Sequence, residues 1–577
     1  MVYARGILVL SYVAVLCRAG PITAPMLREF EDYVQTVMRC RQVPGLTITM
    51  VKDNRVIYTK GFGYAQVEDK IEATNETKFC IGSLTKAFTT TVLAKLLTTQ
   101  PRITWDTPLR SILGSDFRLV NKLCSENVNL RDLLAHKVGV PGFFNALLVG
   151  FPENVTRDEF ISYLEYLPAF LPFRTKFAYS NFMYTLAGHV SEKLGGRTWE
   201  ELVRDFLFRP LGMDTSGFVT EVSDFDRSFA LSYASRDRKP VRLNEKLLYC
   251  VDPLGPAGSI YTTANDMGRW IQFHLTAFRN TSLTPINIDQ ATLAETYASQ
   301  MATPFQEKNL FRPTYPIDDV SMAYALGWMT SVYRGYKRVW HSGGIVGFSS
   351  LLWLFPDQDI GIFVSLTGSR DNENQHPIRV IMSRAADMLL GDTPWLDRAT
   401  ACSFPAPWGK VSTSTLVSDF DQFRTFWNNS RPMGNYVGTY GHPAFGNISV
   451  VIENRTQLVL QYGRFGRMVL TPVTDTAFLG RYIGPLWWAT HADGHPMPVS
   501  VNFSLPLTGS ASNLSYPVDN AFGITFQRDF RKREDNNLQG SLQLTCTTSG
   551  NARVDSSILT RVYFSMLTLC ALSMTLV

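Results

Sequence analysis

The sequence predicts an α/β (α+β) domain of helices and antiparallel strands, followed by a small all-β domain. Three observations carry this. Within Phe79–Leu97 a turn at Gly82 leads into a helix with almost no polar stripe, the pattern of an element buried nearly all round. β-Branched runs at Leu46–Val51 and Val56–Lys60, and three more between Val339 and Leu366, are bounded by turn residues and read as antiparallel strands. Across Asn435–Phe530, five or more short β-rich runs alternate with turns, the spacing of a small barrel or sandwich.

At 577 residues the chain is long enough for more than one domain, and 45% hydrophobic with 18% charged residues is a globular composition. A net charge of +5 without a basic block argues against nucleic acid as a partner. Arg5 precedes an apolar run from Gly6 to Cys17 and then Ala19. Twelve residues are too few to span a bilayer, so 1–19 is expected to be a cleaved signal peptide rather than an anchor. At the other end stand the small residues Ser549–Ala552, a polar stretch to Arg561 and the uncharged run Val562–Val577. That order fits a glycosylphosphatidylinositol signal over 547–577, with a short membrane anchor as the alternative. The expected location is the extracellular face of the plasma membrane, or secretion.

Between these ends lie Cys40, Cys80, Cys124, Cys250, Cys402 and Cys546, an even number that fits disulfides without fixing their pairing. Sequons at Asn75, Asn154, Asn280, Asn428, Asn447, Asn454, Asn502 and Asn513 fit an exported, sugar-coated surface. No cofactor and no metal is expected. His491 and His495 have zinc-like spacing, but Gly494 and Pro496 make a loop there and the helix-borne glutamate is missing.

Along the chain, Met26–Arg39 carries Leu27, Phe30, Val34 and Val37 at amphipathic-helix spacing. Lys52–Arg55 turns the first hairpin, and Gly61-Phe62-Gly63 is a strand end without the third glycine or helix of a dinucleotide fingerprint. Gly82 then lets a tight turn enter the buried helix. Ser83 sits on its first turn and Lys86 follows three residues later, so both side chains share one face, about 5–6 Å apart at Cβ. A lysine so buried is costly to charge and its pKa should fall. A neutral amine beside a hydroxyl is one way to make serine nucleophilic.

His136 opens the glycine- and proline-rich loop to Gly142 and reads as a buried histidine holding that loop, not as a base. Tyr179-x-Asn181 precedes a helix with Phe182, Leu186, Val190 and Leu194 on one face; alone, it is a core tyrosine followed by an N-cap asparagine. Thr198 and Glu201 make a capping box. Leu254–Trp270 is a turn and a capped helix. Glycines at His341–Gly347 loosen a strand edge and permit close approach of a ligand. Residues 391–431, with Pro394, Pro405 and Pro407, read as a linker between domains 20–390 and 432–546.

Ser83-x-x-Lys86, Tyr179-x-Asn181 and His341-Ser342-Gly343, in that order, resemble the motifs of the serine β-lactamase-related family. Its members include class C β-lactamases, D-alanyl-D-alanine carboxypeptidases, D-aminopeptidases and esterases. Leu133–His136 with Gly139–Pro141, and Gly258–Thr263 with Asp266, fit it too, and the resemblance covers roughly two thirds of the chain. It implies a β-lactamase/transpeptidase-like domain with a mainly antiparallel sheet and a helical lobe; the trailing segment resembles a lipocalin-like barrel. It further implies Ser83 as a nucleophile that forms an acyl-enzyme, with Lys86 and Tyr179 sharing the proton transfer. Asn181 would orient substrate or Lys86, and His341, Ser342 and Gly343 would bind substrate along the sheet edge. The N–H groups of Ser83 and Gly344 would form the oxyanion hole. Which of Lys86 and Tyr179 is the base stays open, and the tyrosine pKa is expected to be lowered by cationic neighbours.

One residue departs from the pattern. Many β-lactamases have lysine where this chain has His341, and a histidine of ordinary pKa is mostly neutral outside cells. Recognition of a substrate carboxylate is weakened and Ser342 becomes the main contact there. The expected partner is therefore a small-molecule or peptide acyl substrate, cleaved at an ester or amide, ahead of an antibiotic. The alternative is a surface-bound binding or scaffolding protein that keeps the fold without turnover. No G-x-S-x-G elbow is present, which argues against an α/β-hydrolase. Oligomeric state is not legible.

Overall fold

The first hairpin seeds the large sheet. The computed structural model describes residues 22–151, 155–236, 239–304, 315–368, 376–408, 429–492, 495–496, 498–519 and 523–530. Strands β1 (Gly45–Lys52) and β2 (Arg55–Gln66) pair antiparallel around Asp53 and Asn54, both in the left-handed region that tight hairpin turns use. The other strands are β3 (Ile71–Glu72), β4 (Met301–Ala302), β5 (Asp319–Tyr324), β6 (Met329–Tyr333), β7 (Tyr336–Ile345), β8 (Phe348–Phe355) and β9 (Ile360–Thr367). They form a nine-stranded antiparallel sheet in the order β3-β2-β1-β9-β8-β7-β6-β5-β4.

Side chains alternating along β1 serve two layers. Leu46, Ile48 and Met50 join the core under α1 (Ala24–Arg41) and the helix His376–Leu390. Thr49 faces the opposite layer, where its hydroxyl donates to the Ala264 carbonyl at 2.5 Å. That second layer is the helical lobe. Its central helix, α2 (Thr85–Thr99), is buried except at Lys95, Thr98 and Thr99, as its sequence predicts. Phe88 on α2 stacks on Trp270 at 3.8 Å, fixing α2 to the helix Ala264–Arg279.

Strand β7 lies inside the sheet, yet β6 pairs with it only from Tyr336 to Trp340. His341–Ile345 is therefore bonded on one side alone, to β8. This local edge borders the turn Gly82–Leu84.

Eight strands, from Gly438–His442 to Ile524–Arg528, close into a barrel whose last strand pairs back on the first at Tyr440 and Arg528. Closure removes the open edges a sandwich would keep. The interior is filled by side chains: Tyr440, Tyr462, Tyr482, Tyr516 and Phe526 are buried, and the Tyr482 and Tyr516 hydroxyls meet at 2.7 Å.

The stretch read as a linker begins as packed structure. Asp397 caps a helix over Arg398–Ser403, Leu396, Ala401 and Phe404 are buried, and Cys402 is disulfide-bonded to Cys40 near the end of α1. Six residues are too few for periodicity to reveal a helix. Cys80 and Cys124 are buried free thiols. Residues 1–19, 409–428 and 547–577 lie outside the described residues, as do Asn154, Asn428, Cys546 and the side chains of Cys250, His491 and His495. Among the described residues no helix is long and apolar enough to cross a membrane.

Candidate active site

Two backbones must nearly touch to build this site. Gly82 has φ +51°, and a Cβ on it would lie 2.7 Å from the backbone nitrogen and oxygen of Gly344. A Cβ on Gly343 would lie 1.9 Å from the Ile81 carbonyl oxygen. Glycine at these positions lets the turn before α2 press against the local edge of β7, with Gly82 against Gly344 and Gly343 against Ile81. Ser83 lies on the turn Gly82–Leu84 and Lys86 on the first turn of α2.

The Lys86 side chain is 0% exposed. Its Nζ lies 3.0 Å from Ser83 Oγ, 2.7 Å from Asn181 Oδ1 and 2.8 Å from the Ala257 carbonyl oxygen. It also sits over the rings of Tyr179 and Tyr184, at 4.8 and 5.3 Å from their centroids. All three hydrogen-bond partners are uncharged, and burial holds the amine pKa well below the usual lysine value.

Tyr179 donates its hydroxyl to Ser83 Oγ at 2.9 Å. The expected lowering of its pKa is overturned: burial raises it, the Ser83 bond opposing only in part. Burial likewise disfavours the charged form of the neighbouring amine. Ser180 is the N-cap of the helix Asn181–Gly195 and Asn181 its first residue, so the asparagine amide is turned to Lys86 rather than to the helix end. His136 is buried, as its sequence context suggests. Its Nδ1 accepts the Ser180 N–H at 3.0 Å, and its ring packs 4.3 Å from that of Tyr179.

The His341 imidazole is buried rather than presented at the surface. It is 0% exposed, with Nε2 2.9 Å from the Tyr324 hydroxyl and Nδ1 2.5 Å from the Ser342 carbonyl oxygen. A carbonyl only accepts, so Nδ1 carries the proton and Nε2 accepts from Tyr324. Burial pushes its pKa down to about 3. The side chain of Ser342 is buried as well, whereas Gly344 is exposed.

Sequence reasoning missed Ala257, Tyr324 and Phe144. A carbonyl is common to every residue, so Ala257 carried no signal; Tyr324 and Phe144, whose ring lies parallel to that of Tyr179 at 6.1 Å, belong to no motif. Among the described residues no group of His, Cys, Asp and Glu is placed to hold a metal ion.

The Beta-lactamase family model matches residues 30–385, more than half of the chain. The chain belongs to the Beta-lactamase family. The matched stretch contains Ser83, Lys86, Tyr179, Asn181, Ala257 and His341. This Beta-lactamase-family chain is 25% identical over 458 residues to the unguisins hydrolase ungD' of Aspergillus campestris (strain IBT 28561), covering 75% of this chain and 79% of that protein. Its structure is similar to that of the octameric penicillin-binding protein homologue from Pyrococcus abyssi, at 21% identity and a TM-score of 0.53, over 85% of this chain and 97% of that one. It is also similar to the D-amino acid amidase from Ochrobactrum anthropi SV3 complexed with L-phenylalanine amide, at 19% identity and a TM-score of 0.51, over 62% of this chain and 99% of that one. At such identities the structural likeness concerns the fold.

Proposed function

We propose that this protein is a serine hydrolase that cleaves an ester or amide through an acyl-enzyme on Ser83, with Lys86 as the base. The arrangement of three uncharged partners around a buried amine carries the reading. A neutral amine has two N–H groups and one lone pair. Asn181 Oδ1 and the Ala257 carbonyl can only accept, so they take the two hydrogens and leave the lone pair facing Ser83 Oγ. Ser83 Oγ bonds to the acyl carbon as its proton passes to Lys86. Tyr179, kept protonated by burial, hands a proton to the departing oxygen or nitrogen and regains one from Lys86. Water then releases the acid by the reverse path. The oxyanion faces the N–H groups of Ser83 and Gly344.

Neutral His341 supplies no cation for a substrate carboxylate, which favours a plain ester or amide over a β-lactam. The hydrolase name of the Aspergillus relative supports turnover rather than binding alone. The Cys40–Cys402 disulfide supports an oxidising compartment, and Asn280, Asn447, Asn454 and Asn502 are exposed sequons, so we place the enzyme in the secretory pathway, released or held at the surface through its C-terminal tail.

A tagged fluorophosphonate tests the core of this reading. Wild type and the exposed control Ser115→Ala should be labelled and Ser83→Ala should not. Absence of label on wild type would sink the enzyme reading and favour the scaffolding one. A panel of acyl esters, amino acid amides and a chromogenic cephalosporin then ranks the substrates, with the cephalosporin expected last.

A further inference from the structure

The barrel reaches the site through one short helix. After the strand Asn513–Tyr516, three consecutive residues grip the first turn of Phe144–Leu148. Asp519 Oδ2 accepts the Phe143 N–H at 2.9 Å, and the Val518 carbonyl accepts from the Asn145 and Ala146 N–H groups at 3.1 and 3.2 Å. The Pro517 carbonyl accepts from Asn145 Nδ2 at 2.8 Å. On the helix's far end the Phe465 N–H donates to the Val149 carbonyl at 2.8 Å. Phe143 is held at φ +50°, a left-handed conformation rare for a bulky side chain and kept only where surroundings enforce it.

Between these grips stands Phe144, half-buried, its ring parallel to that of Tyr179 within 10°. A Cβ on Gly142 would strike the Phe144 ring at 2.5 Å, so the glycine leaves room for that ring. Phe144 is thus one aromatic ring removed from Ser83. Because the barrel interior is filled by side chains, its contribution lies in this outer contact.

We propose that Phe144 contacts the acyl group carried by Ser83 and sets a preference for bulky apolar acyl groups, and that Asp519 is a positioning residue that braces Phe144 from the barrel. The first half rests on the acyl-enzyme reading above; the brace does not. The test compares a phenylacetyl with an acetyl ester of the same alcohol, on the full-length protein. Phe144→Ala should lower the phenylacetyl-to-acetyl ratio of kcat/KM by about tenfold or more, mostly through KM, the scale of losing one buried aromatic contact. Asp519→Ala should shift the ratio the same way, and Asp519→Asn, which keeps an acceptor oxygen, should restore it.

Hydrogen exchange of the peptide spanning Phe143–Ala146 is the second readout. It should quicken in Asp519→Ala and stay slow in Asp519→Asn. An unchanged ratio in Phe144→Ala overturns the specificity role. Unchanged exchange in Asp519→Ala, or equal effects of the Ala and Asn variants, overturns the brace. If wild type neither turns over esters nor takes the fluorophosphonate, the acyl-enzyme reading falls and the Phe144 assignment with it, while exchange still decides the brace.

Discussion

Lys86 Nζ and Asn181 Oδ1 lie 2.7 Å apart, joining the first turn of α2 to a helix that starts 95 residues later. The contact fixes where the amine's hydrogens point and so where its lone pair points. It also involves no charge on the asparagine, which leaves the amine free to be neutral.

The pH profile should report that neutrality. A base with a depressed pKa is competent above that pKa, so kcat/KM should rise with pH and level off well below the ordinary lysine value. Asn181→Asp places a carboxylate against the amine, favours its charged form and should move the rising limb upward by about a unit or more. A limb that stays in place would separate Lys86 from the base role.

Replacing Lys86 by Met should lower kcat/KM by about 10²- to 10⁴-fold, the usual share of a general base. The same variant tests linkage. Below the usual lysine pKa and above the depressed folded one, the unfolded chain binds one more proton at this group, so wild-type stability gains from rising pH there. Denaturant titrations should find that slope smaller in Lys86→Met.

Buried histidines should make the protein acid-labile. His274 and His341 have pKa values lowered to about 3 by burial, while an unfolded histidine titrates near about 6.5. As pH falls through that window the unfolded state gains protons that the folded state refuses, and each group costs about 2 kcal/mol between pH 6.5 and pH 5. The Tm should drop accordingly, and His274→Gln, away from Ser83, should flatten the dependence.

Gly82→Ala should lower kcat by about 10²- to 10³-fold, the range seen when an oxyanion donor is lost, because the new Cβ has no room beside Gly344. Stopped-flow acylation measures it directly. A wild-type rate would mean that this close approach does not position the Ser83 peptide.

Cys402→Ser should reduce stability by about 2–4 kcal/mol without slowing fluorophosphonate labelling. The bond ties α1 to the helix Arg398–Ser403 across the sheet from α2, so its loss acts on folding and not on Ser83. Parallel denaturation and labelling curves separate the two effects.

The sequence by itself determined the main elements and the pairing of Ser83 with Lys86. Apolar content all round fixed α2 as a buried helix, helical pitch put Ser83 and Lys86 on one face, and β-branched runs between turn residues marked β1, β8 and β9, because each depends on residues within a turn or a strand of one another. The barrel was legible as short strands, but its closure was not, since closure is a pairing between Tyr440 and Arg528. Only the tertiary structure decided which groups surround the amine. The Asn181 amide, the Ala257 carbonyl and the Tyr179 hydroxyl arrive from separate elements, and the protonation of Lys86, Tyr179 and His341 follows from how completely those elements exclude water. Desolvation is a property of the packed whole, and no spacing along a chain encodes it.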